Sequence, residues 1–433
     1  MVGDGVCVNC GAYRSSLLPK NAPDEHDVGR ISCGGCGLAL YCSLSCANQY
    51  QSQHMQYECH LFKRLKEMRC ALEASAEQNE VEGSQCEAPS NLIIDFFTMA
   101  SHCITTLAGI KSRRPGYRVV LNELQGHAAE VSQNLSHMVR MVGELLRDEE
   151  LPLEVARLIG IIRCNTIEVS NELSLGVGQA LHATTITSYF NHSCSPNCAI
   201  QGEFIVTTRV IAAGEELTIS YMPQLYWPVA LRREELANTY YFHCSCERCR
   251  DNENDPFEAA LVAVLRSECE ETGGGGGAQD GNNAKAARVC GLENHLEAQR
   301  KYITDVQTLC NRIRSMDPSD ITTTDRNELQ RLLQKCCEEL YPFHYLCHEL
   351  RNALSFTFAA LGDTKDCLKS CLDELLLWEC IVPGAHPVKR LKLLNSMQCC
   401  EDLRGKGDEL GNNNIGSMAL IPLLEKLSRL YCC

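Results

Sequence analysis

Asn191-His192-Ser193-Cys194-Ser195-Pro196-Asn197-Cys198 is the stretch that decides how this chain folds. An Asn–His pair in a loop offers one amide and one imidazole to a polar ligand, although any buried loop can use them that way. Downstream, Glu215-Glu216-Leu217-Thr218-Ile219-Ser220-Tyr221 follows the turn signal Ala213-Gly214-Glu215 and reads as a short strand ending at a tyrosine. A lone tyrosine there is more often a core residue with a satisfied hydroxyl. Cys244-x-Cys246-x2-Cys249 comes next. With Cys194 it makes four thiolates, the set that zinc holds in a tetrahedron.

A second ligand group lies upstream: Cys7-x2-Cys10, Cys33-x2-Cys36, Cys42-x3-Cys46, then His54 and Cys59. Eight ligands in this order can be wired in two ways. A cross-brace joins Cys7, Cys10, Cys42 and Cys46 on one zinc, and Cys33, Cys36, His54 and Cys59 on the other. Interleaved sites of this kind lock a segment too small for an apolar core.

The 433 residues hold 29 cysteines and carry a net charge of −15. No N-terminal apolar segment reads as an export signal, and no run is expected to cross a bilayer. Thiols in a reducing compartment, some of them on metal, are therefore expected. Cysteines outside the two groups read as small buried hydrophobes. The acidic balance argues against general nucleic-acid binding and favours protein partners.

Outward from the motif, residues 1–60 read as a metal-stapled module. A helix is expected over Gln51 to Leu72, then a polar linker from Glu73 to Pro89. Helical spacing covers Asn91 to Ile110 (Leu92, Phe96, Met99, Cys103), Leu121 to Leu146 and Leu153 to Arg163, with Pro115-Gly116 separating the first two. Strands are expected at Thr166 to Ser170, Phe204 to Val210 and Glu216 to Tyr221. Asp255-Pro256 is a helix start. A glycine-rich loop spans 273–283, and helices follow at Glu293 to Ile313, Arg326 to Leu340, Phe343 to Leu361, Thr364 to Trp378, Pro387 to Cys400 and Met418 to Leu430. They look like a helical-repeat stack without a detectable internal repeat.

The first group, with Tyr41-Cys42-Ser43 leading its third pair, resembles a MYND zinc finger, although Gln51 stands where that finger normally has a tryptophan. The motif at 191–198, the GEELTIxY strand and the C-x-C-x2-C tail resemble a SET domain. The combination is similar to the Smyd family (SET and MYND domain proteins) of arthropod type. The resemblance implies an α+β fold: a finger at 1–60, a helical insert at 61–164, a small irregular β SET core at 165–223, a zinc segment at 224–251 and a TPR-like helical domain at 252–433.

It also implies a protein-lysine N-methyltransferase that uses S-adenosylmethionine and three zinc ions. In that family pattern Tyr221 is catalytic; Asn165, Asn191, His192 and Phe242 contact the cofactor; Tyr240 lines the lysine channel. Cys194, Cys244, Cys246 and Cys249 hold the third zinc. The implied partners are protein substrates or proline-containing peptides, histones and corepressors among them, for a monomer in the nucleus or cytoplasm. In the family the segment with the Gly-x-Gly turn lies before the finger and usually needs about forty residues. Here Gly3-Asp4-Gly5 stands too close to Cys7 to serve, and Gly176-Val177-Gly178 matches an internal position. Two expectations therefore stand side by side: a methyltransferase whose active form is longer, or a catalytically impaired interaction scaffold in transcriptional repression.

Overall fold

The computed structural model describes residues 31–41, 43–81, 89–112, 124–151, 153–170, 176–180, 186–201, 204–250, 255–263, 292–382 and 386–405. The chain divides into two compact units. One comprises Met1–Phe190, Gln201–Phe204 and Ala237–Phe242; the other comprises Asn191–Ile200, Ile205–Leu236 and His243–Cys433.

In the first unit, β1 (Ile31–Ser32) pairs antiparallel with β2 (Leu40–Tyr41), the turn between them running over residues 33–39. Gly37 sits at φ +73° in that turn, a conformation that costs a non-glycine residue. Helix α1 (Leu44–Tyr57) starts where the Ser43 hydroxyl accepts from the Cys46 N–H. Helix α2 (Cys59–Val81) follows after one residue, Glu58. The polar stretch expected as a linker from Glu73 is helical as far as Val81. Its Ala, Glu and Gln residues favour helix, and no breaker precedes Gly83.

Helix α3 (Pro89–Lys111) supplies Phe96, Ala100, Cys103, Ile104 and Leu107 to the core of this unit. Its Ile93–Lys111 segment is long and apolar enough to cross a membrane, contrary to the expectation from sequence. Yet 61% of that window is buried inside the protein, so its apolar residues are already used in packing. The helix expected from Leu121 to Leu146 is split into α4 (Ala128–Asn134) and α5 (Ser136–Leu145), with the break at Leu135. Helix α6 (Val155–Asn165) packs against α4. A Cβ on Gly160 would lie 1.7 Å from the Gly126 carbonyl oxygen, so the close approach requires glycine. Strands β3 (Ile167–Ser170) and β4 (Gly176–Ala180) pair antiparallel, which puts the Gly176-Val177-Gly178 segment in a strand.

In the second unit, β5 (Asn191–His192) is followed by the pair β6 (Cys198–Gln201) and β7 (Phe204–Thr207), whose tip belongs to the first unit. Strand β8 (Thr218–Ile219) pairs parallel with β5. The strands expected to reach Val210 and Tyr221 are shorter, because partners exist for only part of each run. Helix α7 (Val229–Tyr240) leads to α8 (Glu247–Arg250) and α9 (Pro256–Ala260), the last capped by Asp255 as expected.

The helical region comprises α10 (Leu292–Ser315), α11 (Thr323–Glu339), α12 (Tyr345–Leu361), α13 (Thr364–Ile381) and α14 (Pro387–Gly405). Each of the later helices packs on its predecessor, α11 on α12, α12 on α13, α13 on α14. Thr322 and Asp325 form a capping box on α11, and Gly362 ends α12 at φ +71°. The glycine-rich loop at 273–283 and the helix expected at 418–430 lie outside the described residues.

Candidate functional site

Two sets of ligand atoms converge among the described residues. In the first unit they are Cys33, Cys36, His54 and Cys59, all buried, with ligand atoms within 4.8 Å of one another. Cys33 and Cys59 sulfurs stand 3.8 Å apart, and Cys36 Sγ lies 3.4 Å from His54 Nε2. A tetrahedral zinc with bonds of about 2.3 Å to sulfur and about 2.0 Å to nitrogen has S···S and S···N edges of about 3.8 and 3.5 Å. The set therefore fits zinc. The Gly35 N–H donates to Cys33 Sγ, and a Cβ on Gly35 would meet Cys59 Sγ at 2.8 Å.

His54 is aimed by Glu58, a residue that ligand spacing does not single out. Its Nδ1 pairs with Glu58 Oε2 at 2.9 Å, and the other Glu58 oxygen accepts from the Tyr50 hydroxyl at 2.7 Å. Glu58 is 1% exposed. The carboxylate holds the proton on Nδ1 and leaves Nε2 free to ligate. Burial pushes the His54 pKa down, but Cys36 and Glu58 outweigh it and raise it to about 10. Glu58 was legible as an acid one helical turn beyond His54. Of the remaining finger ligands, Cys7, Cys10 and Cys42 lie outside the described residues, and only Cys46 is described, half-buried near the start of α1. The described residues thus hold two candidate metal sets rather than the three expected.

In the second unit Cys194, Cys244, Cys246 and Cys249 come together. Cys194 Sγ is 4.0 Å from Cys244 Sγ and 3.6 Å from Cys249 Sγ, on either side of the tetrahedral edge. The Cys194 N–H points at Cys246 Sγ. Beneath this set lies a buried ionic triad. Arg232, 0% exposed, and Arg248 both bind Glu258, and Arg232 Nη2 also approaches Cys249 Sγ at 3.7 Å. Two guanidiniums against one carboxylate leave a buried positive charge. A zinc tetrathiolate carries about two negative charges, which answers it; four neutral thiols would not. The donor set and its surroundings fit zinc.

The parallel β5–β8 pair opposes Asn191 to Thr218 and His192 to Ile219, and the Ser193 N–H continues it by donating to the Ile219 carbonyl at 2.9 Å. The Tyr221 N–H then donates to His192 Nδ1 at 3.0 Å, and the two rings lie 5.4 Å apart. That bond fixes the tautomer: the imidazole proton sits on Nε2, facing Cys194 Sγ at 3.3 Å. Burial pulls the His192 pKa down to about 4, so the ring is neutral. The Asn191 amide is exposed and donates to Glu216 Oε1 at 2.7 Å.

Asn197, 3% exposed, locks the same pair from the other side. Its Nδ2 donates to the Glu216 carbonyl and to Glu215 Oε1, while its Oδ1 accepts from the Thr218 N–H. The sequence displayed Asn197 inside the motif, but nothing assigned it this role.

The other expected site residues belong to the first unit. Asn165 ends α6, half-buried, with its amide donating back to the Ile161 carbonyl. Arg163 Nε and Cys164 Sγ both meet the Thr239 carbonyl, which brings the end of α6 to the segment carrying half-buried Tyr240 and Phe242. Tyr241 between them takes φ +61°, its ring 5.0 Å from that of His127 and tilted by 35°.

Comparison with known proteins adds an independent finding. The family model for the SET domain matches residues 41–222. A SET and MYND domain-containing protein of Dictyostelium discoideum is 24% identical over 287 residues, covering 57% of this chain and 71% of the relative. Histone-lysine N-methyltransferase SMYD3 of Mus musculus is 27% identical over 233 residues, 52% of this chain and 50% of that protein. N-lysine methyltransferase SMYD2-B of Xenopus laevis is 23% identical, over 58% of this chain and 57% of the relative. The chain thus matches about half the length of its vertebrate relatives and carries a SET-domain match within similarity to SET and MYND proteins.

Proposed function

We propose that the chain is a SET and MYND protein that methylates lysine side chains of protein substrates with S-adenosylmethionine as donor. The observation that carries this reading is the Tyr221–His192 junction, where a neutral, buried imidazole holds the backbone of a half-buried tyrosine beside an exposed asparagine amide. An aromatic wall and a phenol oxygen suit a reaction in which positive charge migrates from sulfur to nitrogen.

S-adenosylmethionine, when bound, supplies an electrophilic methyl group on a sulfonium. On this reading, as the family resemblance implies, Asn165, Asn191, His192 and Phe242 would contact it, Tyr240 would line the lysine entry, and Tyr221 would orient the amine lone pair. Alignment alone can lower such a barrier by roughly 7–11 kcal/mol. The thiolate set at 194–249 would hold zinc and seat Cys194 next to His192, so that metal and cofactor loops are built as one piece. A histone substrate, as in the names of some relatives, would place the work in the nucleus; the acidic helical region suits basic substrate tails.

Calorimetry of the zinc-loaded chain with S-adenosylmethionine tests the reading. Heat of binding that persists in Tyr221→Phe, with methyl transfer to a histone mixture lost in that variant, is the expected result. Zinc-replete protein that gives no heat at high concentration would overturn it and leave an interaction scaffold.

A further inference from the structure

We propose that Cys337 and Cys347 form a peroxide-responsive dithiol, a modification site in the helical region that closes to an intramolecular disulfide. Cys337 lies in the last turn of α11 and Cys347 in the first turn of α12, and their sulfurs stand 4.0 Å apart. A disulfide needs about 2.05 Å, so the sulfurs must approach by about 2 Å, within reach of side-chain rotation at half-exposed Cys337. Cys347 is 0% exposed, which suits a resolving thiol shielded from direct attack.

The two sulfurs are also chemically unequal. The contact with Cys347 and the nearby Arg351 both favour the Cys337 thiolate; together they outweigh burial and bring Cys337 down to about 6. The neighbouring thiolate and burial push Cys347 up. Burial, with Glu349 adding to it against Arg314, holds Cys310 up at about 12, and Cys336, first by burial, stands at about 12 as well. A partly accessible thiolate with a protonated partner in contact is the arrangement in which peroxide oxidises one thiol and the second resolves it.

The steps balance. The Cys337 thiolate attacks hydrogen peroxide, the O–O bond breaks, and Cys337 becomes a sulfenic acid as hydroxide leaves. Cys347 sulfur then displaces the sulfenic oxygen, forming S–S and releasing water. Two thiols lose two electrons in all, and the peroxide gains them. The bond would pin the α11–α12 turn, where the Arg351 guanidinium already holds the Pro342 carbonyl at 2.6 Å. It also falls two residues from Glu349, which accepts from the Tyr226 hydroxyl and the Trp227 indole in the segment following Tyr221.

The experiment treats the full, zinc-loaded chain with a few equivalents of hydrogen peroxide, blocks remaining thiols, and maps linkages by mass spectrometry. Cleavage after Glu338 or Glu339 separates Cys337 from Cys347, so a link between the fragments reports the bond. The link is expected in wild type and in Cys336→Ala, and absent in Cys337→Ser. In Cys347→Ser, dimedone should trap a sulfenic acid at Cys337. Before oxidation, iodoacetamide should modify Cys337 about five-fold faster than exposed Cys380. Wild-type protein in which Cys380 and Cys70 oxidise while Cys337 stays reduced, or in which Cys336 takes the link, overturns the proposal.

Discussion

Replacing Asn197 by alanine tests whether one buried side chain holds the two loops of the candidate site together. The side chain makes two backbone bonds, donating to the Glu216 carbonyl at 2.8 Å and accepting from the Thr218 N–H at 2.8 Å. Each such bond contributes about 1 kcal/mol net, and a stranded partner raises the loss. About 2–3 kcal/mol of local stability should go. The readout is hydrogen exchange at two amides that Asn197 does not touch: Ser193 N–H, bonded to the Ile219 carbonyl, and Tyr221 N–H, bonded to His192 Nδ1. Their protection should fall about 30- to 150-fold, since 1.36 kcal/mol is a factor of ten. Amides of α12 and α13 should not change. Asn197→Asp keeps the acceptor but loses both donors beside Glu215, and should cost at least as much. Protection at both amides within three-fold of wild type would refute the idea that Asn197 clamps β5 to β8.

Other outcomes follow from the same geometry. Glu58→Gln keeps size but removes the carboxylate behind His54, and should weaken zinc at the first set about 10- to 100-fold in competition with a chromophoric chelator; unchanged affinity would make Glu58 a packing residue only. Gly160→Ala drives a methyl into the Gly126 carbonyl, a backbone atom with no rotamer to yield, and should lower stability by about 3 kcal/mol or more, read as the midpoint of thermal unfolding of the first unit. His102 in α3 has no hydrogen-bond partner for Nε2 among the described residues, and burial pulls its pKa from 6.5 to about 4. Its folded-state pKa is depressed, so the unfolded chain takes the proton first. Stability is therefore complete above about pH 6.5 and is lost as pH falls towards 4, by roughly 3 kcal/mol. His102→Leu should flatten denaturation midpoints across that window; an unchanged pH slope would count against it.

Ligand spacing was the most legible part of the chain, because zinc geometry constrains sequence locally. Cys33-x2-Cys36 and Cys246-x2-Cys249 each have the spacing to close a turn on one ion, and each pair falls within a converged candidate ligand set. Helices with full apolar faces and caps were legible too, as α12, closed by Gly362, shows. What failed was whatever depends on a partner chosen at long range. Nothing in Leu121 to Leu146 announces the break at Leu135. Strand β4 hides in a glycine-rich run, and β8 is only two residues long because its pairing is limited to β5. The supporting residues Asn197, Arg232 and Glu258 were unreadable for a related reason. Each is an ordinary polar residue until the fold buries it against a ligand or a loop.

The shortness of β5 and β8 has a physical consequence. A two-residue parallel pair offers too few hydrogen bonds to repay the entropy of ordering its flanking loops. Cys194 follows that pair by two residues and is held by the same metal set as 244–249, while Arg248 donates to the carbonyls of both Cys194 and Leu225. Metal binding at a structural thiolate site is worth about 10–16 kcal/mol, an order more than the strand pair itself. With metal bound, the loop that presents Asn191 and His192 would thus be ordered mainly by the thiolate cluster behind it. Tyr221 is ordered through His192, and the arrangement of the three side chains should depend on the metal even though none of them ligates it.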